Sequence, residues 1–406
     1  SGLQSRLRRF DSGFSLQLDL GSKIMKMIPY GIHDIDDDDI QAVVDVLKSD
    51  FITQGPFTSF FERKISSYVN SKYCVALNSA TSALHAACVG LGLQKGDNLW
   101  TSPISFVASA NCGLYCGAEV DFIDINLDDY SISIEKLEEK LIIAKKKDCL
   151  PKIIVTVHLG GYCSSLIALR ELSDQYGFKI IEDASHCIGG SYTNEQIGNC
   201  RYSDAAIFSF HPVKIITTGE GGVVTTNDKR LYEFINSFKG HGLERNLEKL
   251  ESKINEPWYY EQQILGYNYR ITEIQLALGL SQLNKLDNFI LKRRTIAKKY
   301  FSEINNPRLI LPKYENIESS SYHLFILRIK ENRDNFFNYL RSNNIFCQLH
   351  YIPIYRHPFY QKFNYDIQEL KNSETYYKQA LSIPIHQKLS DNEINYIINC
   401  VNEFDE

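Results

Sequence analysis

One lysine lies between an apolar run and a glycine-rich turn. The stretch FSFHPVKIITTGEGG, residues 208–222, places Lys214 before three glycines, which permit a tight turn and a close approach of the backbone to a bound group. A lysine that is desolvated in such a place has a lowered pKa, and its neutral amine is a nucleophile. An ordinary surface lysine is the alternative. The pattern favours covalent chemistry at Lys214.

A carboxylate follows a second apolar run. Asp183 in EDASH ends the strand-like FKIIED (178–183), where an unpaired buried carboxylate is costly unless a cation holds it ionised. A protonated heterocycle nitrogen could be that cation. Helix capping or pairing with an arginine is the more common use of such an aspartate. Taken alone, Asp183 therefore favours a structural role.

Two further stretches could bind a phosphate and a planar ring. NSATSALHAA places Ala80 and Thr81 at a predicted helix start, which favours an anion, although an ordinary N-cap gives the same pattern. Ser209 ends the strand before Lys214. Phe106 in SPISFVASAN could stack on a ring, although such a phenylalanine is more often core. A phosphate site, a carboxylate, a stacking ring and a nucleophilic lysine together are what pyridoxal 5′-phosphate requires.

These residues need a sheet whose strand ends meet at one edge. From about residue 70 to 230, short apolar runs alternate with helical patterns, which predicts an α/β fold with a mostly parallel central sheet and helices on both faces. Ligands bind such sheets where strands end. The predicted strands are DNLWTSPIS (97–105), EVDFIDI (119–125), KIIVTVHLG (152–160), FKIIED (178–183), DAAIFSF (204–210) and GGVVTTN (221–227).

The pattern changes after residue 270, where a long helical segment begins. That segment and the elements after it predict a smaller C-terminal α+β domain. The predicted elements are the helical segment 271–304, a strand 322–330, a helix 333–344, a strand 345–351 and a helix 391–404. We divide the chain into a disordered leader or cloning-derived segment (1–24), a large cofactor-binding domain (25–285) and a small domain (286–406).

The composition excludes several classes of function. A net charge of −5 without a long basic cluster argues against a nucleic-acid partner, and no run of eighteen apolar residues is present to span a membrane. The ten cysteines are scattered without a Cys-x-x-Cys pair. They predict reduced thiols in a cytoplasm and no metal site.

At these residues the sequence resembles the sugar aminotransferases of the DegT/DnrJ/EryC1/StrS family, which are pyridoxal-phosphate enzymes of fold type I. The resemblance runs from about residue 28 to the C terminus. The motifs that carry it, in family order, are TQGPFTSFFE, NSATSALHAA, SPISFVASAN, EDASH, FSFHPVKIITTGEGG, GYNYRITEIQLALGLSQL and CQLHYIPIY.

The resemblance assigns a role to each residue near the cofactor ring. It makes Lys214 the lysine that forms a Schiff base with the cofactor and then shuttles protons, and it pairs Asp183 with the pyridine nitrogen. Phe106 would stack on the ring. His186 stands where the family usually has a glutamine near the 3′-hydroxyl, which leaves its role open. Some relatives are dehydratases with histidine in place of the lysine, so Lys214 favours transamination.

The resemblance also implies the remaining contacts of the site. Asn268 would reach in from a partner subunit, which implies a homodimer with shared active sites. On the strand pattern alone, alternation turns one of His350 and Tyr351 inward whatever the ligand. The implied phosphate contacts are Ala80, Thr81, Ser209 and Asn268, and the implied substrate-lining residues are Tyr30, Phe51, Ile52, Thr53, Gln348, Leu349, His350 and Tyr351.

Within the family the motifs are most similar to a subgroup that acts on UDP-linked sugars. The implied reaction moves an amino group from L-glutamate to C4 of a UDP-linked 4-keto-6-deoxy-N-acetylhexosamine, in pseudaminic acid biosynthesis. Two alternatives stay open. One is amination of another nucleotide-linked 3- or 4-keto sugar, and the other is a sensor that binds pyridoxal phosphate without catalysis.

Overall fold

The computed structural model describes residues 27–163, 165–252, 254 and 256–405. The segment 1–24, predicted to be a leader, lies outside these residues. The helices of the described part are α1 Asp37–Leu47, α2 Pro56–Val69, α3 Ala80–Gly90, α4 Ala108–Tyr115, α5 Ile134–Lys146, α6 Leu166–Tyr176, α7 Lys229–Phe238, α8 Glu273–Leu283, α9 Leu286–Glu303, α10 Arg333–Ser342, α11 Pro358–Gln361, α12 Lys371–Gln379 and α13 Asp391–Glu403.

The strands of the same residues form one large sheet and several small ones. They are β1 Ile28–Pro29, β2 Tyr73–Leu77, β3 Asn98–Thr101, β4 Glu119–Phe122, β5 Ile153–Val157, β6 Lys179–Asp183, β7 Ser191–Tyr192, β8 Glu195–Gln196, β9 Ala205–Ser209, β10 Gly222–Thr226, β11 Leu243–Glu244, β12 Glu261–Gln262, β13 Leu309–Ile310, β14 Phe325–Ile329, β15 Ile345–Phe346 and β16 Ala380–Ile383.

The large sheet has the strand order β2-β10-β9-β6-β5-β3-β4. All its pairings are parallel except those of β10, which runs antiparallel to both neighbours. Side chains alternate between two hydrophobic cores: Ile153 packs with α3, α4 and α7 on one face, and Ile154 packs with α5 and α6 on the other. The α/β fold predicted from the alternating pattern is confirmed.

One edge of this sheet collects the ends of the strands that precede the candidate site. The parallel strands β6 and β9 finish at Asp183 and Ser209, and β10 begins there because Gly222 pairs with Ser209 and with Leu77. Loops that follow parallel strands lie at the same edge. The sheet therefore brings together residues that are far apart in sequence.

A separate core surrounds the small antiparallel sheet β13-β14-β16. The helical segment predicted over 271–304 is two helices, because α8 ends at Leu283 and α9 starts at Leu286. Lys285 between them contacts the Asp39 carboxylate at 2.6 Å. Helix α9 packs against both sheets. Ile290 belongs to a core on the large sheet, and Ile296 belongs to the core of the small sheet.

The strand predicted over 345–351 is much shorter. Only Ile345–Phe346 forms a strand, parallel to Ile28–Pro29, and the chain then makes a single bridge between Gln348 and Ser382. The expectation that strand alternation decides which of His350 and Tyr351 turns inward is therefore wrong, because this part of the chain is not a strand.

The division of the chain at residue 285 stays a prediction. Two segments pack across it: Ile28 belongs to the core of the small sheet, and Tyr355 and Tyr360 pack against the core of the large one. Among the described residues, no helix is both long enough and apolar enough to cross a membrane.

Candidate active site

Lys214 lies in a closed turn that follows β9. Its backbone N–H donates to the carbonyl of His211 over 2.8 Å, and Thr218 N–H donates to the carbonyl of Phe210 over 3.0 Å. Within the described part of the chain the side-chain amine has no hydrogen bond or ion pair. Burial lowers the pKa of Lys214 to about 8, although the charge of Asp183 acts in the opposite direction. A substantial neutral fraction near pH 8 suits a nucleophilic amine.

Asp183 ends β6 and is buried. Its carboxylate accepts a hydrogen bond from the Ser109 hydroxyl at 2.5 Å and from the Ser185 backbone N–H at 3.2 Å. The Ser109 hydroxyl also lies 2.7 Å from that of Ser105. Among the described residues no arginine or lysine forms an ion pair with this carboxylate, so it can serve a cationic group of a ligand.

The predicted phosphate site combines the start of α3 with the strand pair β9 and β10. Ser79 caps α3, and its hydroxyl accepts from the Ser82 N–H. The N–H groups of Ala80 and Thr81, in the first turn, have no acceptor inside the helix. Gly222 lies so close that a Cβ there would be 2.4 Å from Ala80 N.

Ser209 completes this site because it pairs with Gly222 in the sheet. The arrangement offers two backbone N–H groups, one hydroxyl and the positive end of a helix, which is what a phosphate dianion binds. We call Ala80, Thr81, Ser209 and Gly222 the phosphate cradle.

One group of side chains lies beside the edge of the large sheet where β6 and β9 end. It consists of Phe106, His186 and Tyr351. The Phe106 side chain is 59% exposed, and its ring centre lies 6.3 Å from that of Tyr351. The Tyr351 hydroxyl is 3.1 Å from Nε2 of His186, and Nδ1 of His186 accepts from the Gly160 N–H at 3.2 Å. Phe106 thus leaves a ring face free for a planar ligand.

His186 and two further buried histidines beside this group, His323 and His350, are neutral. Burial lowers the pKa of His186 and of His323 well below the ordinary value, and it lowers that of His350 to about 3. The charge of Lys214 contributes in each case. His186 and His350 therefore act as neutral hydrogen-bonding groups near the lysine, whereas Nδ1 of His323 has no hydrogen-bond partner among the described residues.

The candidate substrate residues fall into two sets. Tyr30 and His350 lie together, with ring centres 4.8 Å apart, and the neighbouring Gly31 approaches the carbonyl of Val213, next to Lys214. Leu349 packs in the same small core as Tyr30 and Tyr351, whereas Gln348 is exposed. The first set therefore lies beside the lysine turn.

The second set lies at the start of α8. The carbonyl of Ile52 accepts from the Glu273 N–H at 3.1 Å, and Thr53 pairs with Thr272. Phe51 and Ile52 are more than half exposed, at 57% and 52%. Their described contacts do not reach Lys214, so a role in substrate binding stays a prediction for this set.

The backbone of Asn268 contacts Asn78, two residues before Ala80 of the phosphate cradle. Its carbonyl accepts from the Asn78 side chain at 3.5 Å, and the Tyr269 carbonyl accepts from the Asn78 N–H at 2.9 Å. The expected contact of Asn268 across a subunit boundary stays a prediction.

The structure adds residues that sequence reasoning missed. Ser109 holds Asp183, Gly160 donates to His186, and the Ser382 hydroxyl lies 2.9 Å from Nδ1 of His350. Ser109 lies in the motif SPISFVASAN, three residues after Phe106, so the sequence placed it near the site without indicating its contact with Asp183. Gly160 and Ser382 carried no comparable signal.

The residues present fit pyridoxal 5′-phosphate. A Cβ at Gly222 would collide with Ala80 N at 2.4 Å, so only a glycine at this position lets the start of α3 lie this close to β10. The carboxylate of Asp183, the free amine of Lys214 and the exposed ring of Phe106 match the pyridine nitrogen, the aldehyde and the ring face of that cofactor.

Comparison with known proteins identifies the same family of pyridoxal-phosphate enzymes. The model of the DegT/DnrJ/EryC1/StrS aminotransferase family matches residues 33–402. A Campylobacter jejuni protein, UDP-4-amino-4,6-dideoxy-N-acetyl-beta-L-altrosamine transaminase, is 36% identical over 376 residues, which cover 91% of this chain and 96% of the relative.

Two solved structures extend the similarity to the fold. Helicobacter pylori PseC, an aminotransferase involved in the biosynthesis of pseudoaminic acid, has a TM-score of 0.84 at 32% identity, covering 93% of this chain and 98% of that one. Streptococcus pneumoniae Spr1654 in its PLP form has a TM-score of 0.82 at 27% identity, covering 93% and 98%.

Proposed function

Because the chain belongs to the DegT/DnrJ/EryC1/StrS aminotransferase family and is a sugar aminotransferase that depends on pyridoxal 5′-phosphate, we propose that its acceptor is a UDP-linked 4-keto-6-deoxy-N-acetylhexosamine. L-Glutamate donates the amino group, and C4 of the sugar receives it. The observation that supports this substrate is the 36% identity to the Campylobacter jejuni transaminase over nearly the full length of both chains. The product would feed pseudaminic acid, which decorates bacterial flagellin or surface polysaccharide.

Lys214 is the catalytic residue of this proposal. Its amine, with a pKa lowered to about 8, attaches the cofactor and afterwards takes and returns the proton at the carbon bearing the nitrogen. The cofactor, when bound, supplies an electron sink that makes this proton acidic. Removing the proton in one half-reaction and returning it in the other needs a base that can exist in both forms, which a lysine of this pKa can.

Asp183 keeps the ring nitrogen of the cofactor protonated. The hydroxyl of Ser109, 2.5 Å from the carboxylate, fixes its orientation. Phe106 covers one ring face, and the phosphate cradle binds the phosphate. Tyr30 and residues 348–350 contact the sugar nucleotide.

The active enzyme is a homodimer in this proposal, with Asn268 of each subunit completing the phosphate site of the other. Large apolar side chains exposed on the segment before Asn268 support it, since Trp258 is 74% and Leu265 80% exposed. Mixing Lys214→Ala and Asn268→Ala subunits tests the sharing. In an equimolar mixture half of the dimers are mixed, and each of these carries one intact site of two, so about a quarter of wild-type activity returns. A mixture as inactive as its components would contradict shared sites. The cytoplasmic location stays a prediction.

The substrate is tested with a panel of keto sugars. The enzyme, L-glutamate and either UDP- or dTDP-linked 3- and 4-keto sugars are incubated, and amino-sugar products are identified by mass spectrometry. We expect turnover of the UDP-linked 4-keto-6-deoxy-N-acetylhexosamine of L-arabino configuration above all others. Turnover of another keto sugar without this one would reject the proposed substrate and leave the aminotransferase activity intact.

A further inference from the structure

The hydrogen bond between His186 and Tyr351 has a direction that the surrounding protein determines. The Gly160 N–H donates to Nδ1 of His186 over 3.2 Å. A backbone amide can only donate, so Nδ1 keeps its lone pair. Burial lowers the pKa of His186 well below its ordinary value, with the charge of Lys214 next in effect. The ring is therefore neutral and carries its single proton on Nε2.

Nε2 of His186 lies 3.1 Å from the hydroxyl oxygen of Tyr351. Since Nε2 carries the proton, His186 donates and the tyrosine oxygen accepts. The proton of the Tyr351 hydroxyl must then point away from His186. In the part of the chain that the structure describes, this hydroxyl makes no other hydrogen bond. Its proton is consequently available to a bound molecule.

Tyr351 also keeps this proton at physiological pH. Burial raises the pKa of Tyr351, and the neighbouring Tyr30 and Asp183 raise it further. The titratable groups that interact with Tyr351 are these two residues, Tyr376 in the same small core, and His186 at its hydroxyl. Because the Tyr351 oxygen accepts a hydrogen bond from His186 and the hydroxyl stays protonated, its own proton points toward another acceptor.

The acceptor follows from where Tyr351 lies. Its ring centre is 6.3 Å from that of Phe106 and 6.0 Å from that of His186. The carboxylate of Asp183, which faces the ring nitrogen in the proposed site, is close enough to Tyr351 to raise the pKa of its hydroxyl. Tyr351 therefore borders the space that the cofactor ring would occupy. On that ring the 3′-oxygen is next to the carbon that bonds a lysine amine, and it is an anionic acceptor.

We propose that the Tyr351 hydroxyl donates a hydrogen bond to the 3′-oxygen of the cofactor and that His186 is the positioning residue that fixes Tyr351 as a donor. The proposal rests on the proposed attachment of the cofactor to Lys214. A donor to this oxygen draws negative charge away from it, so that the nitrogen joining Lys214 to the cofactor holds its proton less tightly. The histidine thus acts through the tyrosine.

The first test is a pH titration of the visible absorbance of the cofactor-loaded enzyme. In Tyr351→Phe the donor is lost, and the pKa of the absorbance change rises by about one to two units, because a hydrogen bond to a charged oxygen is worth that much. The matched control is Tyr355→Phe, whose hydroxyl bonds Glu374 at 2.7 Å and lies outside the proposed contact. It leaves the pKa of the band at its wild-type value.

The second test separates positioning from direct contact. His186→Leu shifts the pKa of the band in the same direction as Tyr351→Phe, and His186→Gln, which keeps an N–H donor, shifts it less. The double variant Tyr351→Phe with His186→Leu shifts no further than Tyr351→Phe alone, because both changes remove one interaction. Additive shifts would mean that His186 contacts the cofactor itself and would overturn its positioning role.

Two further outcomes would overturn the proposal. If Tyr351→Phe leaves the titration unchanged but slows turnover of the keto sugar, the Tyr351 hydroxyl donates its hydrogen bond to the substrate and not to the cofactor. Nitrogen-15 NMR of the cofactor-free wild-type protein should place the His186 proton on Nε2, and a proton on Nδ1 would remove the basis of the argument. A wild-type enzyme without any titrating band would instead contradict the attachment at Lys214.

Discussion

Gly222 offers a sharp test of the phosphate cradle, because its lack of a side chain keeps the first turn of α3 close to β10. A Cβ at this position would lie 2.4 Å from Ala80 N, 2.6 Å from Ser79 C and 2.7 Å from Ala80 Cα. All three atoms are backbone, so rotation of a side chain cannot relieve the contact. In Gly222→Ala the start of the helix must therefore move.

The size of the effect follows from these distances. Restoring an ordinary contact of about 3.4 Å requires a displacement of about 1 Å, which takes a normal N–H to oxygen hydrogen bond beyond its useful range. Losing one hydrogen bond to a charged phosphate costs about 1.5–3 kcal/mol. The dissociation constant of the cofactor should then rise about tenfold to 150-fold.

The assay is a spectroscopic titration of cofactor-free enzyme with pyridoxal phosphate, accompanied by a thermal melt of the same samples. Gly240→Ala is the matched control, because a Cβ there meets nothing closer than 3.7 Å; its affinity should equal that of the wild type. Pyridoxal without phosphate should bind the wild type and Gly222→Ala with similar affinity. If Gly222→Ala is folded and binds pyridoxal phosphate as tightly as the wild type, the cradle does not hold the phosphate.

Two more predictions concern Asp183 and Lys214. Ser109→Ala removes the hydroxyl that donates to the buried carboxylate of Asp183. Chemical denaturation should show that the free energy of unfolding falls by about 1–3 kcal/mol, and turnover should fall less than in Asp183→Asn. Unchanged stability and turnover would contradict the contact. In the cofactor-free enzyme, labelling of Lys214 by an amine-reactive reagent, followed by mass spectrometry, should rise about tenfold per pH unit below pH 8 and level off above it, because its pKa is lowered to about 8. A rate that keeps rising beyond pH 9 would show an ordinary lysine.

Much of the fold followed from local patterns. The apolar runs over 152–160 and 178–183 contain β5 and β6, because residues buried on both faces of a parallel sheet leave a continuous apolar signal. Boundaries were less accurate. The strand predicted over 97–105 ends at Thr101, where Pro103 follows and cannot donate to a strand neighbour.

The candidate site was predictable to the extent that one stretch of sequence carries its own chemistry. Lys214 beside the glycine turn and Asp183 at a strand end were identified in this way. The contact of Ser109 with Asp183 joins residues 74 apart in sequence, and that of Tyr351 with His186 joins residues 165 apart. Such contacts depend on how two elements pack, and no local pattern in either element specifies them.

Lys214 is expected to bond the cofactor, and the roles of the other site residues depend on that bond. The direct measurement is borohydride reduction of the loaded enzyme, then digestion and mass spectrometry of the peptides. We predict that the reduced cofactor is found on the peptide containing Lys214 and that Lys214→Ala and Lys214→Arg carry none, since a guanidinium stays protonated and cannot attack. Reduced cofactor on another lysine, or a full label in Lys214→Ala, would contradict the account.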